Sequence, residues 1–145
     1  MTDRNDGKLA ESWVRDSLKV LRAHHKSAFL RLYDTTSAGA KGNFIPEQPP
    51  DFLVCREGQT YLIEVKSSKV KAGLTKDMLK RQRGHLKIWE RAGAINYVLF
   101  FDLNTEWVHV WPGNVSILGV KGTEMILKQP RAGLDAILTF LTVDK

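Results

Sequence analysis

One cysteine, Cys55, is the only thiol in a chain of 145 residues, and one thiol cannot close an internal disulfide. That fits a reducing compartment, with the cytoplasm as the expected location. Cys55 ends the apolar run Phe52-Leu53-Val54 and reads as a small buried hydrophobe with no catalytic part. No apolar run approaches the ~18 residues that cross a bilayer. The first residues, Met1 to Lys8, lack the apolar core of a signal peptide, so no membrane association is expected. Internal repeats and collagen-like, mucin-like or low-complexity composition are also missing. With 43% hydrophobic and 26% charged residues, the chain has the composition of a folded protein. It is too short for two well-packed cores, so residues 1–145 read as a single domain.

What is present is charge in one place. Of the net charge of +6, an excess of basic residues lies between Lys66 and Arg91, where nine Lys and Arg face only Asp77 and Glu90. The rest of the chain is close to neutral. A basic segment on a neutral body is the footprint of a phosphate-backbone binder, because each neutralised phosphate releases counterions. A charged helix face is also commonly just a solvated face, so the segment gains meaning only from what adjoins it.

Apolar positions Leu9, Trp13, Val14, Leu18, Val20 and Leu21 recur at helical spacing and predict an amphipathic helix over 7–25, with Glu11 in its second turn. Ala28 to Tyr33 alternates as a strand does. Thr35 to Pro50 is a Gly/Pro/Ser-rich loop of a length that is usually functional or mobile. Asp51–Arg56 and Thr60–Lys66 read as two strands of a hairpin closed by Glu57-Gly58-Gln59. A helix is expected over Thr75–Arg91, with Thr75 as N-cap, Leu79, Leu86 and Trp89 as its apolar stripe, and Gly93 past its end. Strands over Ile95–Phe101 and Trp107–Trp111 and a helix over Leu134–Leu141 complete the order α-β-β-β-α-β-β-α. That is the order of an α/β protein with a mixed sheet flanked by helices.

The chemistry lies in Pro50-Asp51 and, thirteen positions after the aspartate, Glu64-Val65-Lys66. Strand side chains alternate faces, so Glu64 and Lys66 share one face and Val65 takes the other. They interrupt a run, Tyr61-Leu62-Ile63-Val65, that otherwise reads as core, where an unpaired charge costs several kcal/mol. A partner strand starting at Asp51 brings its carboxylate beside that of Glu64. Two adjacent carboxylates repel unless a cation lies between them. A donor set of carboxylates, the Val65 carbonyl and water, without Cys or His, favours Mg²⁺, with Mn²⁺ as substitute, over zinc. Such a cation acidifies water and offsets charge on an attacked phosphate, which is the chemistry of phosphodiester hydrolysis, and Lys66 suits a water- or phosphate-orienting role. The alternative is a turn aspartate and a surface ion pair on an edge strand.

The pattern resembles the PD-(D/E)xK nuclease superfamily, with Pro50-Asp51 as the PD and Glu64-Val65-Lys66 as the ExK. The expected element order over residues 7–111 is also similar to the αβββαβ restriction-endonuclease-like core of that superfamily. Within it, Gly7-Lys8-Leu9-Ala10-Glu11 resembles the first-helix glutamate of Holliday junction resolvases of the RecU and archaeal Hjc kinds. Gln82 and Leu86 resemble their glutamine followed four positions later by an apolar residue. RecU-like proteins have His before that glutamine, and this chain has Arg81. The resemblance implies a Mg²⁺-dependent endodeoxyribonuclease, a homodimer cutting branched DNA at four-way junctions. Asp51 and Glu64 would be metal ligands, Glu11 a further acid of the metal site, Lys66 the orienting cation and Gln82 an accessory group near the phosphate. The rival readings are a PD-(D/E)xK deoxyribonuclease acting on linear duplex and a nucleic-acid-binding protein that does not cleave.

Lys69, Lys71, Lys76, Lys80, Arg81, Arg83 and Lys87 are the expected phosphate contacts, with Ser37, beside Thr36, as a loop hydroxyl that would either join them or close a turn. Glu11 also suits the positive N-terminal end of a helix. His24 and His25 fit a helix C-terminus better than a ligand role, whereas His85 lies on the basic helix. Trp13, Trp89, Trp107 and Trp111 read as core or interface anchors.

Overall fold

The structure is a computed structural model that describes residues 4–32, 49–114 and 124–143. Helix α1 (Arg4–His24) leads into strands β1 (Ser27–Arg31), β2 (Phe52–Arg56) and β3 (Gln59–Ser68). A 3-10 turn (Lys76–Leu79) and helix α2 (Arg83–Arg91) connect β3 to β4 (Ile95–Asp102), followed by β5 (Trp107–Pro112), β6 (Leu127–Pro130) and α3 (Leu134–Leu141). The six strands lie in sequence order in one sheet. Every neighbouring pair is antiparallel except β3 and β4. A parallel pair needs a crossover too long for a hairpin, and the segment carrying α2 supplies it. The fold is therefore the α/β class expected, a mixed sheet flanked by helices, with the order αβββαβ running through β4.

The core lies on one side of the sheet. Ala10, Val14, Leu18 and Leu21 of α1 and Leu134, Ile137, Leu138 and Leu141 of α3 pack on Phe52, Val54, Tyr61, Ile63, Val65, Tyr97, Leu99 and Phe101. The buried α1 positions differ from part of the expected stripe, since Leu9 and Val20 are exposed. Ala10 and Ser17 take seam positions instead, because small residues let the helix lie close to strands that carry the bulk. Arg56 ties this side together. Its guanidinium donates to the Thr139 carbonyl at 3.2 Å and to Thr142 Oγ1 at 3.1 Å, and reaches His25 Nδ1 at 3.2 Å.

The other face is covered only in part. Leu79 and Val98 are buried there, with Leu74 and Trp111 packed on them, and Leu86 is the one buried residue of α2. Among the described residues no helix lies on this face over β1 and β2. Leu30 is exposed as a result, and so is Cys55, which corrects the expectation of a buried thiol: Val54 faces the core and its strand neighbour must face away.

Two backbone positions fix the frame. The β2–β3 turn has positive φ at both Glu57 (52°) and Gly58 (80°), the two-residue turn whose twist matches the strands it joins, so β3 begins at Gln59. Gly113 donates its N–H to the Asn96 carbonyl at 2.7 Å, and a Cβ at this position would meet Asn96 Cβ at 2.4 Å. Only glycine fits that approach.

Three other expectations need correction. The helix expected over 75–91 is broken: the Lys76–Leu79 turn ends before Gln82, and α2 starts at Arg83. Thr75 has extended backbone and makes no side-chain cap bond, and Trp89 is exposed rather than part of an apolar stripe. Strand β6, four residues ending in Pro130, is too short and too polar to show as a strand in the sequence. Ser37 and nearly all of the Gly/Pro-rich loop lie outside the described residues.

Candidate metal and phosphate site

Asp51 stands one step beyond the last ladder pair of β2 with β3, Phe52 with Ile63, and therefore beside Glu64. Its side chain continues the ladder that its backbone leaves: Asp51 Oδ2 accepts the Val65 N–H at 2.7 Å. Its own carbonyl accepts the Leu32 N–H at 2.8 Å, which fixes the residue from the β1 side. Burial pushes the Asp51 carboxyl well above the usual carboxylate range. The Glu64 carboxylate, within hydrogen-bonding reach, pushes it further, against the opposing pull of the Val65 N–H and Arg31.

Glu64 projects from the middle of β3, paired on the other side with Val98 of β4. Its side chain is 1% exposed. Lys66 Nζ stands 3.5 Å from Glu64 Oε2, yet that oxygen is buried without a hydrogen-bond donor. The ion pair is therefore a Coulombic contact without hydrogen-bond geometry, and Oε2 retains free accepting capacity. Glu11 arrives from the second turn of α1. Burial raises its pKa first and the Asp51 charge second, with Arg31 acting the other way. Thus Glu11, Asp51 and Glu64 form a chain of neighbouring carboxylates with Asp51 in the centre.

The residue that sequence reasoning missed is Arg31, at the end of β1. Its NH2 lies 3.1 Å from Glu11 Oε1 and 3.3 Å from Asp51 Oδ1. Its NH1 donates to the Asp51 carbonyl at 3.1 Å and to the Leu32 carbonyl, and its guanidinium lies over the Phe52 ring. An arginine ending an alternating strand gives no sequence signal. Its role follows from the antiparallel register, Arg31 with Phe52, which places it beside Asp51.

On the far side of Glu64, Lys66 opens onto a cleft of about 550 Å³ shared with Asp77, Met78, Lys80, Arg81 and Gln82. A second basic hollow of about 330 Å³, lined by Lys76, Asp77, Lys80 and Arg83, adjoins it. Gln82, 8% exposed, sits where the 3-10 turn meets α2, with its Oε1 buried and unpartnered. At the break in the expected helix Gln82 is buried and lines the cleft with Lys66, while Lys76, Lys80, Arg81, Arg83 and Lys87 are exposed. Lys71 is exposed, whereas Lys69 is drawn to Asp6, 3.4 Å away. His109, on the row of Lys66 and Phe100, has neither ring nitrogen partnered, and burial lowers its pKa.

The donor chemistry fits a hard divalent cation. Asp51 and Glu64 supply oxygen only, and Glu64 Oε2 is a buried acceptor lacking a donor. Among the described residues no three Asp, Glu, His or Cys side chains converge to enclose a metal. Mg²⁺ suits such an open pair, since it retains water and takes substrate phosphate oxygens alongside one or two carboxylates.

Comparison with solved structures finds similarity to Hjc of Archaeoglobus fulgidus, a Holliday junction resolvase from an archaeal hyperthermophile, at 19% identity and a TM-score of 0.45, covering 88% of this chain and 92% of that one. No protein-family profile and no curated protein matches the chain. No helix among the described residues is long and apolar enough to cross a membrane.

Proposed function

We propose that the chain is a Mg²⁺-dependent endodeoxyribonuclease that hydrolyses phosphodiester bonds in branched DNA, acting as a homodimer on four-way junctions. One observation carries the reading: the carboxylate of Asp51, at the start of β2, lies against that of Glu64 in the middle of β3, with Glu64 Oε2 buried and lacking a donor beside the Lys66 ammonium. Burying two acids side by side is costly for a purely structural element and is offset by a cation.

Asp51 and Glu64 would hold Mg²⁺, with the Val65 carbonyl as a further oxygen and Glu11, beside Asp51, as an outer acid of the site. When bound, the ion supplies acidified water and charge neutralisation at the phosphate. Lys66 Nζ, anchored by Glu64 and facing the cleft, donates to a phosphate oxygen or to the attacking water. Gln82 offers its amide to the same phosphate. Lys76, Lys80, Arg81, Arg83 and Lys87 follow the adjoining backbone, and Lys71 lengthens the track. These contacts position the duplex without reading bases, so selectivity rests on DNA shape. Preference for a junction follows from the sequence resemblance to resolvases.

The test is cleavage of an end-labelled four-way junction and a matched linear duplex, with Mg²⁺ or EDTA, by wild type and Glu64→Ala. Paired, metal-dependent cuts confined to the junction and lost in the variant are expected. Cutting of the duplex would keep the nuclease and remove the junction preference; binding without cutting of either would overturn the enzyme reading.

A further inference from the structure

The geometry points to Arg31 as a built-in cation that holds the Glu11–Asp51 pair of carboxylates together in the metal-free protein and competes with the divalent ion for them. The inference rests on the metal site proposed above and deepens it, since it assigns a residue that sets the affinity of that site.

Glu11 and Asp51 come from different elements, α1 and the start of β2, yet the Arg31 NH2 group reaches both, and the Asp51 charge raises the pKa of Glu11. Nothing in the backbone compels two acids to approach. Arg31 does: one guanidinium nitrogen serves Glu11 Oε1 and Asp51 Oδ1 together, while the other is held by two main-chain carbonyls, those of Asp51 and Leu32. The planar fork is thereby fixed at both ends, which an ammonium could not achieve.

The consequence for a metal follows from which oxygens remain open. Asp51 Oδ2 already accepts the Val65 N–H, and Asp51 Oδ1 faces Arg31. Glu11 Oε1 is likewise engaged, and Glu64 Oε2 alone of these is buried without a donor. A divalent ion drawn by Glu64 meets Asp51 through an oxygen that a full positive charge stands 3.3 Å from. Its entry either displaces the Arg31 NH2 group or proceeds against its repulsion, and both lower affinity. Arg31 is a positioning residue here: it shapes the ligand pair and tunes how tightly the ion is held.

Binding of Mn²⁺ alone, followed by loss of the free-ion electron paramagnetic resonance signal, tests this without reference to cleavage. Wild type, Arg31→Gln, Arg31→Lys and Asp51→Asn are compared, together with melting curves with and without Mn²⁺. Arg31→Gln is expected to bind Mn²⁺ about tenfold more tightly than wild type. It should melt lower than wild type when metal-free and gain more from added Mn²⁺. Arg31→Lys should fall between the two, because its charge remains but cannot span both carboxylates, and Asp51→Asn should lose the site. Unchanged or weaker binding by Arg31→Gln, with Asp51→Asn inactive in binding, would overturn the role of Arg31 and leave the metal site standing. Wild-type binding by Asp51→Asn would instead remove the metal site itself, and this inference with it. Should Arg31→Gln fail to fold, Arg31→Lys decides alone: tighter binding than wild type supports the competition, and equal or weaker binding refutes it.

Discussion

The two faces of β3 are built from alternate residues of one strand and do opposite things. Tyr61, Ile63 and Val65 enter the apolar core against α1 and α3. Leu62, Glu64, Lys66 and Ser68 face the side covered by the 3-10 turn and α2, where a lysine opens onto a basic cleft. The strand register that makes one face stable therefore also fixes the spacing of charge on the other. A slip of one residue would bury Lys66 in the core and expose Val65. Stability and chemistry are therefore separable here by position parity.

The sharpest break of that separation comes from the charged face. Glu64→Gln should lower metal-dependent cleavage by about a thousandfold or more, while leaving chemical-denaturation stability equal or higher, because it removes a buried charge and preserves shape. From the other face the effects reverse. Ile63→Ala should cost roughly 2–5 kcal/mol in urea unfolding, by lost burial and the cavity it leaves, with cleavage by the folded fraction retained. A joint loss in either variant would show that the faces are coupled.

The pH dependence of stability sharpens the same point. Asp51 has a folded-state pKa raised well above its ordinary value of 3.8, chiefly by burial and then by Glu64. The native state thus holds its proton over a window in which the unfolded chain has lost it. Metal-free protein should be least destabilised by this group below that ordinary value and lose stability as pH rises through the raised pKa. Urea midpoints across pH in EDTA should decline over that window in wild type and decline less in Asp51→Asn; parallel curves would contradict the carboxylate cluster. The smallest effect on the fold is expected at the cleft rim. Neutralising Lys80 and Arg83 together should change stability by less than about 0.5 kcal/mol. The same pair should make the log–log salt dependence of DNA binding shallower by about 2.

Much of this was legible in the sequence because strand alternation has a fixed period. The Pro50-Asp51 and Glu64-Val65-Lys66 spacing gave the hairpin, its shared face and the meeting of Asp51 with Glu64. The α3 bounds, Leu134 to Leu141, follow directly from its apolar pattern. Arg31 was not legible, since its partners Glu11 and Asp51 are each twenty residues away, one brought by the packing of α1 and the other by the β1–β2 register. The break at Gln82 was equally hidden: Lys80 and Arg81 are good helix formers, and it is the path of the chain from the 3-10 turn into α2 that interrupts them. Cys55 misleads because an apolar run suggests burial of every member, whereas among the described residues one face of β2 has no helix over it.

A divalent cation held between Asp51 and Glu64 would direct iron-mediated cleavage of the chain to the residues around it. With Fe²⁺, ascorbate and peroxide, backbone scission should map beside Asp51 and around Glu64 to Lys66, fade as Mg²⁺ is added, and vanish in Glu64→Gln. Scission elsewhere, or scission at these positions that neither Mg²⁺ nor the substitution alters, would contradict the account.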